Sequence, residues 1–395
     1  MLNQAAVREA TRLTRAGRLA EATALLQRML YGDSAPGPKA RGAADGPLSQ
    51  LDPPTIDLTA NIVGERVSPP TSQAGSVQRS KRTSSPKPDF SGLGLRSPIS
   101  RSPLFTDIAP EGTEFIEGTF SNAAGSRSYK LFIPSRSHGQ QLPLIVMLHG
   151  CTQSPDDFAA GTRMNFLAEE QNCFVAYPDQ PSGANQAKCW NWFRTGDQRR
   201  GAGEPLLIAG LTRQIMRDYA IDPNRVYVAG LSAGGAAAAV MGATYPDLYA
   251  AIGIHSGLAC GAASDFPSAF VAMRQGGKSK PITAAKRLPT IVFHGDRDTT
   301  VHPDNGERIV EQFAKAGRNP KVIRGQVPNG HAYTRTITNG ADGRAISEHW
   351  NIHGAAHAWS GGSPAGSYTN PRGPDATREM LRFFLEHSLN RCPPS

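Results

Sequence analysis

The stretch that most constrains the fold is Gly230-Leu-Ser-Ala-Gly234, because a strand-like run precedes it and a helix-like run follows it. The run Arg225-Val-Tyr-Val-Ala229 is typical of a strand, and the alanine-rich residues 235–243 are typical of a helix. A serine on so sharp a turn adopts strained backbone angles, and the residues two positions away must be small or the strand and helix collide. The sequence therefore predicts a nucleophile at Ser232, with the Ala233 N–H facing a developing oxyanion.

The chain from residue 106 onward alternates between strand-like and helix-like segments. An antiparallel entry pair is predicted at 112–120 and 128–133, and further strands at 142–148, 173–177, 250–254, 289–293 and 346–352. Helices are predicted at 156–171, 205–219 and 375–389, the last with Asp375 as its N-cap. This alternation predicts an α/β fold with a mostly parallel central sheet covered by helices on both faces.

Two carboxylates follow the predicted strand Thr290-Ile-Val-Phe293, in the sequence His-Gly-Asp-Arg-Asp. A serine on an elbow needs a later acid and then a later histidine, each at the end of a following strand. Asp298 lies three residues past Gly295 and so has the turn length to reach back over the sheet, whereas Asp296 lies closer to the strand end. We therefore predict Asp298 as the acid and assign Asp296 to fixing the turn.

The segment Ile352-His-Gly-Ala-Ala-His357 offers two histidines as the base. Gly354 marks the end of the strand, so His353 is expected beside the sheet and His357 on the loop above the serine. His349, His353 and His357 recur every fourth residue, a spacing that on a helix would suit zinc. The glycine and the β-branched context argue against a helix, so we predict His357 as the base and no metal.

An oxyanion hole needs a second N–H, and the loop after the 142–148 strand is the place for it. That loop reads His149-Gly-Cys-Thr-Gln153, in which Gly150 permits close approach of the backbone and the Cys151 N–H is the candidate donor. Oxyanion loop, serine, acid and histidine then occur in the order of the α/β-hydrolase fold. Chemistry of this kind requires no cofactor.

Six separated motifs resemble the polyhydroxybutyrate depolymerase family of esterases. They are His149-Gly-Cys-Thr-Gln153, Tyr177-Pro-Asp-Gln180, Cys189-Trp-Asn-Trp-Phe193, Gly230-Leu-Ser-Ala-Gly-Gly235, His357-Ala-Trp-Ser-Gly-Gly362 and Gly366-Ser-Tyr-Thr-Asn-Pro-Arg-Gly-Pro-Asp375. The resemblance spans residues 115–387 and implies the type-one catalytic domain of short-chain-length polyhydroxyalkanoate depolymerases. It implies hydrolysis of a polyester or its oligomers through an acyl-enzyme, with Ser232 as nucleophile, Asp298 as acid and His357 as base. His149 and Cys151 are implied to belong to the oxyanion region.

Two alternatives remain open at this point. Feruloyl and acetylxylan esterases share these motifs, so a carbohydrate esterase is the first. A protein that binds a granule or partner and carries an incidental hydrolase fold is the second.

The motif loops also contain the side chains that we expect to contact substrate. Trp190, Trp192 and Trp359 are candidates for an apolar wall around an acyl unit, and a buried core position is the other interpretation, equally weighted for Trp190. Cys151 and Cys189 both lie in family motifs, and their pairing under oxidising conditions is left open.

The first 105 residues differ in character from the rest. Residues 1–30 carry five arginines among alanines and leucines at helical spacing and predict a short amphipathic helical segment, whereas the Pro-, Ser- and Gly-rich residues 31–105 predict a disordered linker to a hydrolase domain at 106–390. Residues 1–105 hold 14 Lys and Arg against 8 Asp and Glu, a basic balance too dilute to indicate nucleic-acid binding. We expect the segment to dock on a granule or a protein surface.

The sequence contains neither a recognisable secretory signal nor a transmembrane stretch. Its five cysteines form an odd count without the spacing of a disulfide framework. These features favour a cytoplasmic location, with secretion to the extracellular region, as in many family members, as the alternative.

Overall fold

The computed structural model describes residues 108–278, 281–283, 287–314 and 320–389. The predicted helical segment at 1–30 and the predicted linker at 31–105 lie outside the described residues. The described residues all fall within the predicted hydrolase domain at 106–390.

The described residues form a ten-stranded sheet and a small two-stranded one. The strands of the large sheet are β1 (Glu114–Asn122), β2 (Gly125–Ile133), β3 (Leu142–Leu148), β4 (Phe174–Pro178), β5 (Ile221–Leu231), β6 (Ala251–His255), β7 (Thr290–Gly295), β8 (Lys321–Gln326), β9 (Ala332–Asn339) and β10 (Ala345–Ile352). The small sheet pairs β11 (Trp359–Ser360) with β12 (Thr369–Asn370).

The strand order of the large sheet is β1-β2-β4-β3-β5-β6-β7-β10-β9-β8. Its centre, from β4 to β10, is parallel, and both edges are antiparallel. Because the central strands are parallel, the loops that follow their carboxyl ends meet at one edge of the sheet. That edge carries every predicted catalytic residue.

Seven α-helices and one 3₁₀ turn accompany the sheet in the described part of the chain. They are α1 (Pro155–Thr162), α2 (Met164–Gln171), the 3₁₀ turn (Thr195–Gln198), α3 (Gly203–Asp218), α4 (Ala233–Thr244), α5 (Phe266–Gln275), α6 (Asp304–Phe313) and α7 (Ala376–Leu385).

The sheet separates two apolar cores, as the period of two in strand side chains requires. In β3, Leu144, Val146 and Leu148 pack with α3, α4, α5 and α6. The intervening Ile145 and Met147 pack with α1, α2 and α7 on the other face. The predicted α/β-hydrolase fold, with helices on both faces of a mostly parallel sheet, is confirmed.

Several local predictions need adjustment. The single helix predicted at 156–171 is two helices, because Arg163 between them adopts a left-handed φ of 54°. Strands β8 and β9 and helices α5 and α6 were not predicted. The N-cap prediction holds, since the Asp375 side chain accepts a hydrogen bond from the Arg378 N–H at 2.9 Å. Among the described helices, none has the length and apolarity to cross a membrane.

Candidate active site

Ser232 follows β5 directly and caps α4 with strained backbone angles, φ 57° and ψ −119°. Its own N–H donates to the carbonyl of His255 at 2.9 Å, which fixes the turn against β6. A Cβ on Gly230 would overlap the carbonyl of Gly234, and a Cβ on Gly234 would overlap the carbonyl of Leu148. The two glycines of the motif are thus required by crowding, as the sequence predicted, and the strain is of the kind stored at functional sites.

Asp298 and His357 meet across the ends of the neighbouring strands β7 and β10. His357 Nδ1 lies 2.7 Å from Asp298 Oδ2, and the other carboxylate oxygen accepts the N–H groups of Thr300 and Val301 at 2.9 and 2.8 Å. This contact fixes a proton on Nδ1 of His357 and leaves Nε2 as the basic nitrogen. The structure therefore brings together the predicted acid and the predicted base.

Burial of Asp298 favours its neutral form, yet its pKa is held well below the usual range by hydrogen bonds from His294 and His357. The Asp298 side chain is 0% exposed. A permanently ionised acid of this kind can stabilise an imidazolium on His357 during catalysis.

Asp296 serves a different histidine. Its Oδ2 lies 2.9 Å from His353 Nδ1, and its Oδ1 accepts the Gly354 N–H at 2.7 Å. The other nitrogen of His353 lies 2.8 Å from Thr334 Oγ1 on β9. Through these hydrogen bonds Asp296 holds the start of the loop that leads to His357. The carboxylate that contacts His357 itself is that of Asp298.

The loop after β3 leaves one backbone N–H available. Gly150 N donates to Gln153 Oε1 at 2.8 Å, Thr152 N to Ala187 O at 2.7 Å, and Gln153 N to Gly150 O at 3.4 Å. In the described part of the chain, Cys151 N has no hydrogen-bond partner. The Cys151 N–H therefore stays a candidate donor to an oxyanion.

The first N–H of α4 is the second candidate donor. Ala233 N has no partner within the described residues, because it precedes the first hydrogen bond of the helix, Ala236 N to Ser232 O at 2.9 Å. Ser232 Oγ likewise makes no hydrogen bond to the described part of the chain, His357 included. Contacts of this kind often form only when substrate is bound.

His149 supports the oxyanion loop from inside rather than facing substrate. Its Nδ1 donates to Gly150 O at 2.7 Å, and its Nε2 accepts the Gln180 N–H at 3.1 Å. Burial lowers the pKa of His149, so the ring stays neutral and keeps its acceptor nitrogen. Both ring nitrogens of His149 are thus occupied, and its side chain offers no free donor to an oxyanion. His149 lies in the predicted oxyanion loop and supports that loop through these two contacts.

A disulfide joins Cys151 to Cys189, with the two Cα atoms 4.2 Å apart. The sequence left this pairing open. The bond connects the oxyanion loop to the Cys-Trp-Asn-Trp-Phe motif, two segments 38 residues apart in the chain.

The tryptophans predicted to line the substrate site are core residues. Trp190 is 0% exposed and its Nε1 donates to His149 O at 3.1 Å, whereas Trp359 is 1% exposed and its Nε1 donates to Thr377 Oγ1 at 2.9 Å. Trp359 packs between His255 and Phe158 at centroid distances of 5.2 and 5.4 Å. Trp192 is also buried, against Phe193. Burial therefore favours the core interpretation of Trp190, which the sequence had left open, and it contradicts the substrate-lining role predicted for Trp359; Trp192, 6% exposed, offers little surface.

Two buried side chains that the sequence did not single out contact this apparatus. His294 Nε2 lies 3.5 Å from Asp298 Oδ2, the oxygen that also contacts His357, and 2.8 Å from Val301 O. Glu204, at the start of α3, lies beneath the oxyanion loop. His294 stands in the predicted strand end and could have been flagged, but no local pattern marks Glu204.

No three His, Cys, Asp or Glu side chains of the described residues are arranged to hold a metal ion. His353 and His357 lie beyond the end of β10 and each pairs with its own aspartate. The spacing of His349, His353 and His357 therefore does not produce a shared site.

Residues 127–319 match the family model described as esterase PHB depolymerase. By this match, residues 127–319 of the chain resemble the PHB depolymerase esterases. The matched range includes the oxyanion loop, the elbow and the acid, and the geometry at the sheet edge is that of the α/β-hydrolase superfamily.

Relatives of this chain have different activities in their names. Poly(3-hydroxyalkanoate) depolymerase C of Paucimonas lemoignei is 35% identical over 230 residues, which cover 54% of this chain and 54% of the relative. Probable acetylxylan esterase A of Aspergillus clavatus is 29% identical over 189 residues, covering 43% and 60%. The chain thus spans little more than half the length of these curated relatives.

A solved structure supports the fold. Acetyl xylan esterase from Aspergillus awamori aligns with a TM-score of 0.53 and 20% identity, covering 68% of this chain and 98% of the esterase.

Proposed function

We propose that this protein is a serine esterase that hydrolyses short-chain polyhydroxyalkanoate, such as poly-3-hydroxybutyrate, or its oligomers. The observation that carries the proposal is the strained Ser232 at the same sheet edge as the Asp298–His357 pair, which makes its 2.7 Å contact there. The match to the depolymerase family model and the 35% identity to a poly(3-hydroxyalkanoate) depolymerase support the polyester as substrate.

The geometry supports an acyl-enzyme route. His357 Nε2 takes the proton of Ser232 while Oγ attacks the ester carbonyl carbon, and the N–H groups of Cys151 and Ala233 hold the oxyanion. Collapse of the tetrahedral intermediate breaks the bond to the alcohol, which leaves with the proton from His357. Water then attacks the acyl carbonyl carbon while His357 Nε2 takes a proton from it. Collapse of the second tetrahedral intermediate returns that proton to Ser232 Oγ and releases the acid.

Replacing the nucleophile tests this function. Ser232→Ala should lower the kcat for p-nitrophenyl butyrate by ~10⁴-fold or more, because loss of one triad member removes nearly all the catalysis of the unit. Ser121→Ala is the matched control, since that exposed hydroxyl on β1 contacts only Ser126 and should leave kcat unchanged. Circular dichroism should be the same for all three proteins. Retention of more than a tenth of the wild-type rate in Ser232→Ala would reject the proposal.

A substrate panel separates the proposal from its rivals. Because acetylxylan esterases are among the relatives, a carbohydrate esterase is the second candidate. Turnover of hydroxybutyrate oligomers above that of methyl ferulate and acetylated xylan would favour the polyester, and the reverse order would favour the carbohydrate esterase. A protein that turns over no ester at all would instead be the binding protein with an incidental hydrolase fold.

The Cys151–Cys189 disulfide supports an oxidising compartment as the place of action. This favours secretion over the cytoplasmic location expected from the sequence. Docking of residues 1–30 on a granule or protein surface remains part of the proposal.

A further inference from the structure

Glu204 is a buried carboxylate that accepts hydrogen bonds from two separate motif loops. Its side chain is 7% exposed. Oε1 accepts Gln180 Nε2 at 2.5 Å and Asn191 Nδ2 at 2.7 Å, and Oε2 accepts the Asn191 N–H at 2.7 Å. The guanidinium of Arg127 approaches Oε1 to 3.6 Å and supplies an opposite charge. Three donors and one cation thus converge on one carboxylate that the chemical steps do not use.

The groups that Glu204 holds are in turn attached to the oxyanion loop. The Gln180 N–H donates to His149 Nε2 at 3.1 Å, and Gln180 Nε2 also donates to Cys189 O at 2.9 Å. Cys189 is covalently bound to Cys151 through the disulfide. Glu204 therefore connects to the loop that carries the Cys151 N–H by two routes, one through the His149 ring and one through the disulfide.

The three donors around Glu204, two side-chain amides and one backbone N–H, require a hydrogen-bond acceptor at this position. Burial, reinforced by Asp197, raises the pKa of Glu204, while the hydrogen bonds from Asn191 and Gln180 oppose that shift. A neutral amide in its place would present an NH₂ group to donors that need acceptors, and each buried donor left without a partner is costly. We expect the loops to adjust by moving, which displaces the Cys151 N–H.

We propose that Glu204 is a positioning residue for the oxyanion hole, which holds the Cys151 N–H in place through Gln180, His149 and the Cys189 disulfide. This inference rests on the proposed esterase function. Because an oxyanion forms only after attack, displacement of its donor should reduce kcat more than it changes KM.

The first measurement is the steady-state kinetics of Glu204→Gln on p-nitrophenyl butyrate. Complete loss of an oxyanion donor costs about 10²- to 10³-fold in kcat in a well-studied protease, so a displaced donor should cost ~10- to 100-fold. KM should stay within about threefold of the wild type. Glu204→Asp keeps the negative charge but has a side chain one methylene shorter. Its kcat should lie between that of the wild type and that of Glu204→Gln.

Glu348→Gln is the matched control. Glu348 on β10 is 0% exposed and pairs with Arg335 at 2.6 Å and Arg382 at 2.8 Å, with no contact to the oxyanion loop. Its replacement removes a buried charge of the same kind, so it should lower the thermal midpoint while leaving kcat within about twofold. An equal fall of kcat in both variants would mean that loss of a buried charge acts through general stability, and would overturn the inference.

A second readout separates this inference from the proposed function. The rate at which a fluorophosphonate probe labels Ser232 depends on the oxyanion hole but on no particular ester substrate. Labelling of Glu204→Gln should be at least tenfold slower than that of the wild type, with Ser232→Ala as the unlabelled blank. A wild type that labels but hydrolyses no ester would reject the proposed function alone.

Unchanged kcat and unchanged labelling in folded Glu204→Gln would overturn the inference. Should that variant fail to fold, Gln180→Met replaces it, because it removes the bridge from Glu204 to Cys189 while keeping the charge. The same fall in kcat and labelling is then expected, and wild-type values in Gln180→Met would equally overturn the inference.

Discussion

Asp296 and Asp298 stand two residues apart, yet each carboxylate contacts its own histidine. Asp298 is buried and meets His357, while Asp296 is partly exposed and meets His353. The cause is the turn after β7, in which the Asp298 N–H donates to the Gly295 carbonyl at 3.2 Å, so that Asp296 stays exposed while Asp298 is buried. Two chemically equal residues thereby acquire unequal roles.

Exchange of each carboxylate for an amide distinguishes those roles. Asp298→Asn should lower kcat by ~10⁴-fold, as in the best-studied triad, because the amide stabilises the wrong tautomer of His357. Asp296→Asn should keep kcat within a few-fold and lower the free energy of unfolding by about 1 kcal/mol, through weakened hydrogen bonds to His353 and Gly354. Steady-state kinetics and urea unfolding of both variants check this. If the larger kinetic effect fell on Asp296→Asn, the assignment of the acid would be wrong.

Residues whose roles depend on local spacing could be predicted from the sequence. Ser232, Asp298 and His357 each occupy a fixed position relative to a strand end, and strand ends are readable from apolar runs. Burial is different, because it depends on what packs above a residue from elsewhere in the chain. The sequence accordingly placed Trp359 at the substrate, although Phe158, His255 and Thr377 enclose it. The same limit applies to Glu204, whose partners lie 13 and 24 residues away in sequence.

At the scale of elements, the central strands were predictable and the antiparallel edge was not. Strands such as β3 are continuously apolar because both faces are buried. β8 and β9 are half-exposed and mixed in composition, so no local sequence pattern distinguishes these two strands from a loop. The break between α1 and α2 was missed because Arg163 adopts a left-handed conformation that its residue type does not indicate.

The Cys151–Cys189 bond joins two loops that no shared strand or helix connects. Cys151→Ser combined with Cys189→Ser should lower the free energy of unfolding by about 4 kcal/mol, the entropic expectation for a separation of 38 residues. The kcat should fall as well, because the oxyanion loop loses its link to Gln180 and Glu204 through Cys189. Thermal melts and kinetics with and without dithiothreitol provide the measurement. Reductant should lower the melting midpoint of the wild type and leave the double variant unaffected; a wild type that does not respond to reductant would contradict the prediction.

For the whole molecule, the order of strands and helices along the chain was sufficient to predict the fold class. A parallel sheet with a nucleophile elbow leaves few alternative topologies, because crossover connections share one hand. What remains beyond the hydrolase domain is a basic N-terminal region of 105 residues, whose role can be proposed from its sequence alone.

The last prediction concerns that N-terminal region. Residues 1–30 combine an apolar stripe with five arginines, and Gly17 divides the predicted helical segment into two short stretches. Each stretch is marginal as an isolated helix, since ~12 to 15 residues is the lower limit in water. We propose that it docks the enzyme on a hydrophobic polyester granule. A protein that begins at Ser102 retains the whole described domain and should keep its kcat on p-nitrophenyl butyrate.

The same truncated protein should sediment less with polyhydroxybutyrate granules and release less hydroxybutyrate from them than the full chain does. Soluble-ester turnover is the internal control, because docking should not affect a substrate that diffuses freely. Equal sedimentation and equal polymer turnover would remove the proposed role. A fall in soluble-ester turnover would show instead that the region supports the catalytic domain itself, so the paired assays distinguish localisation from a contribution to the active site.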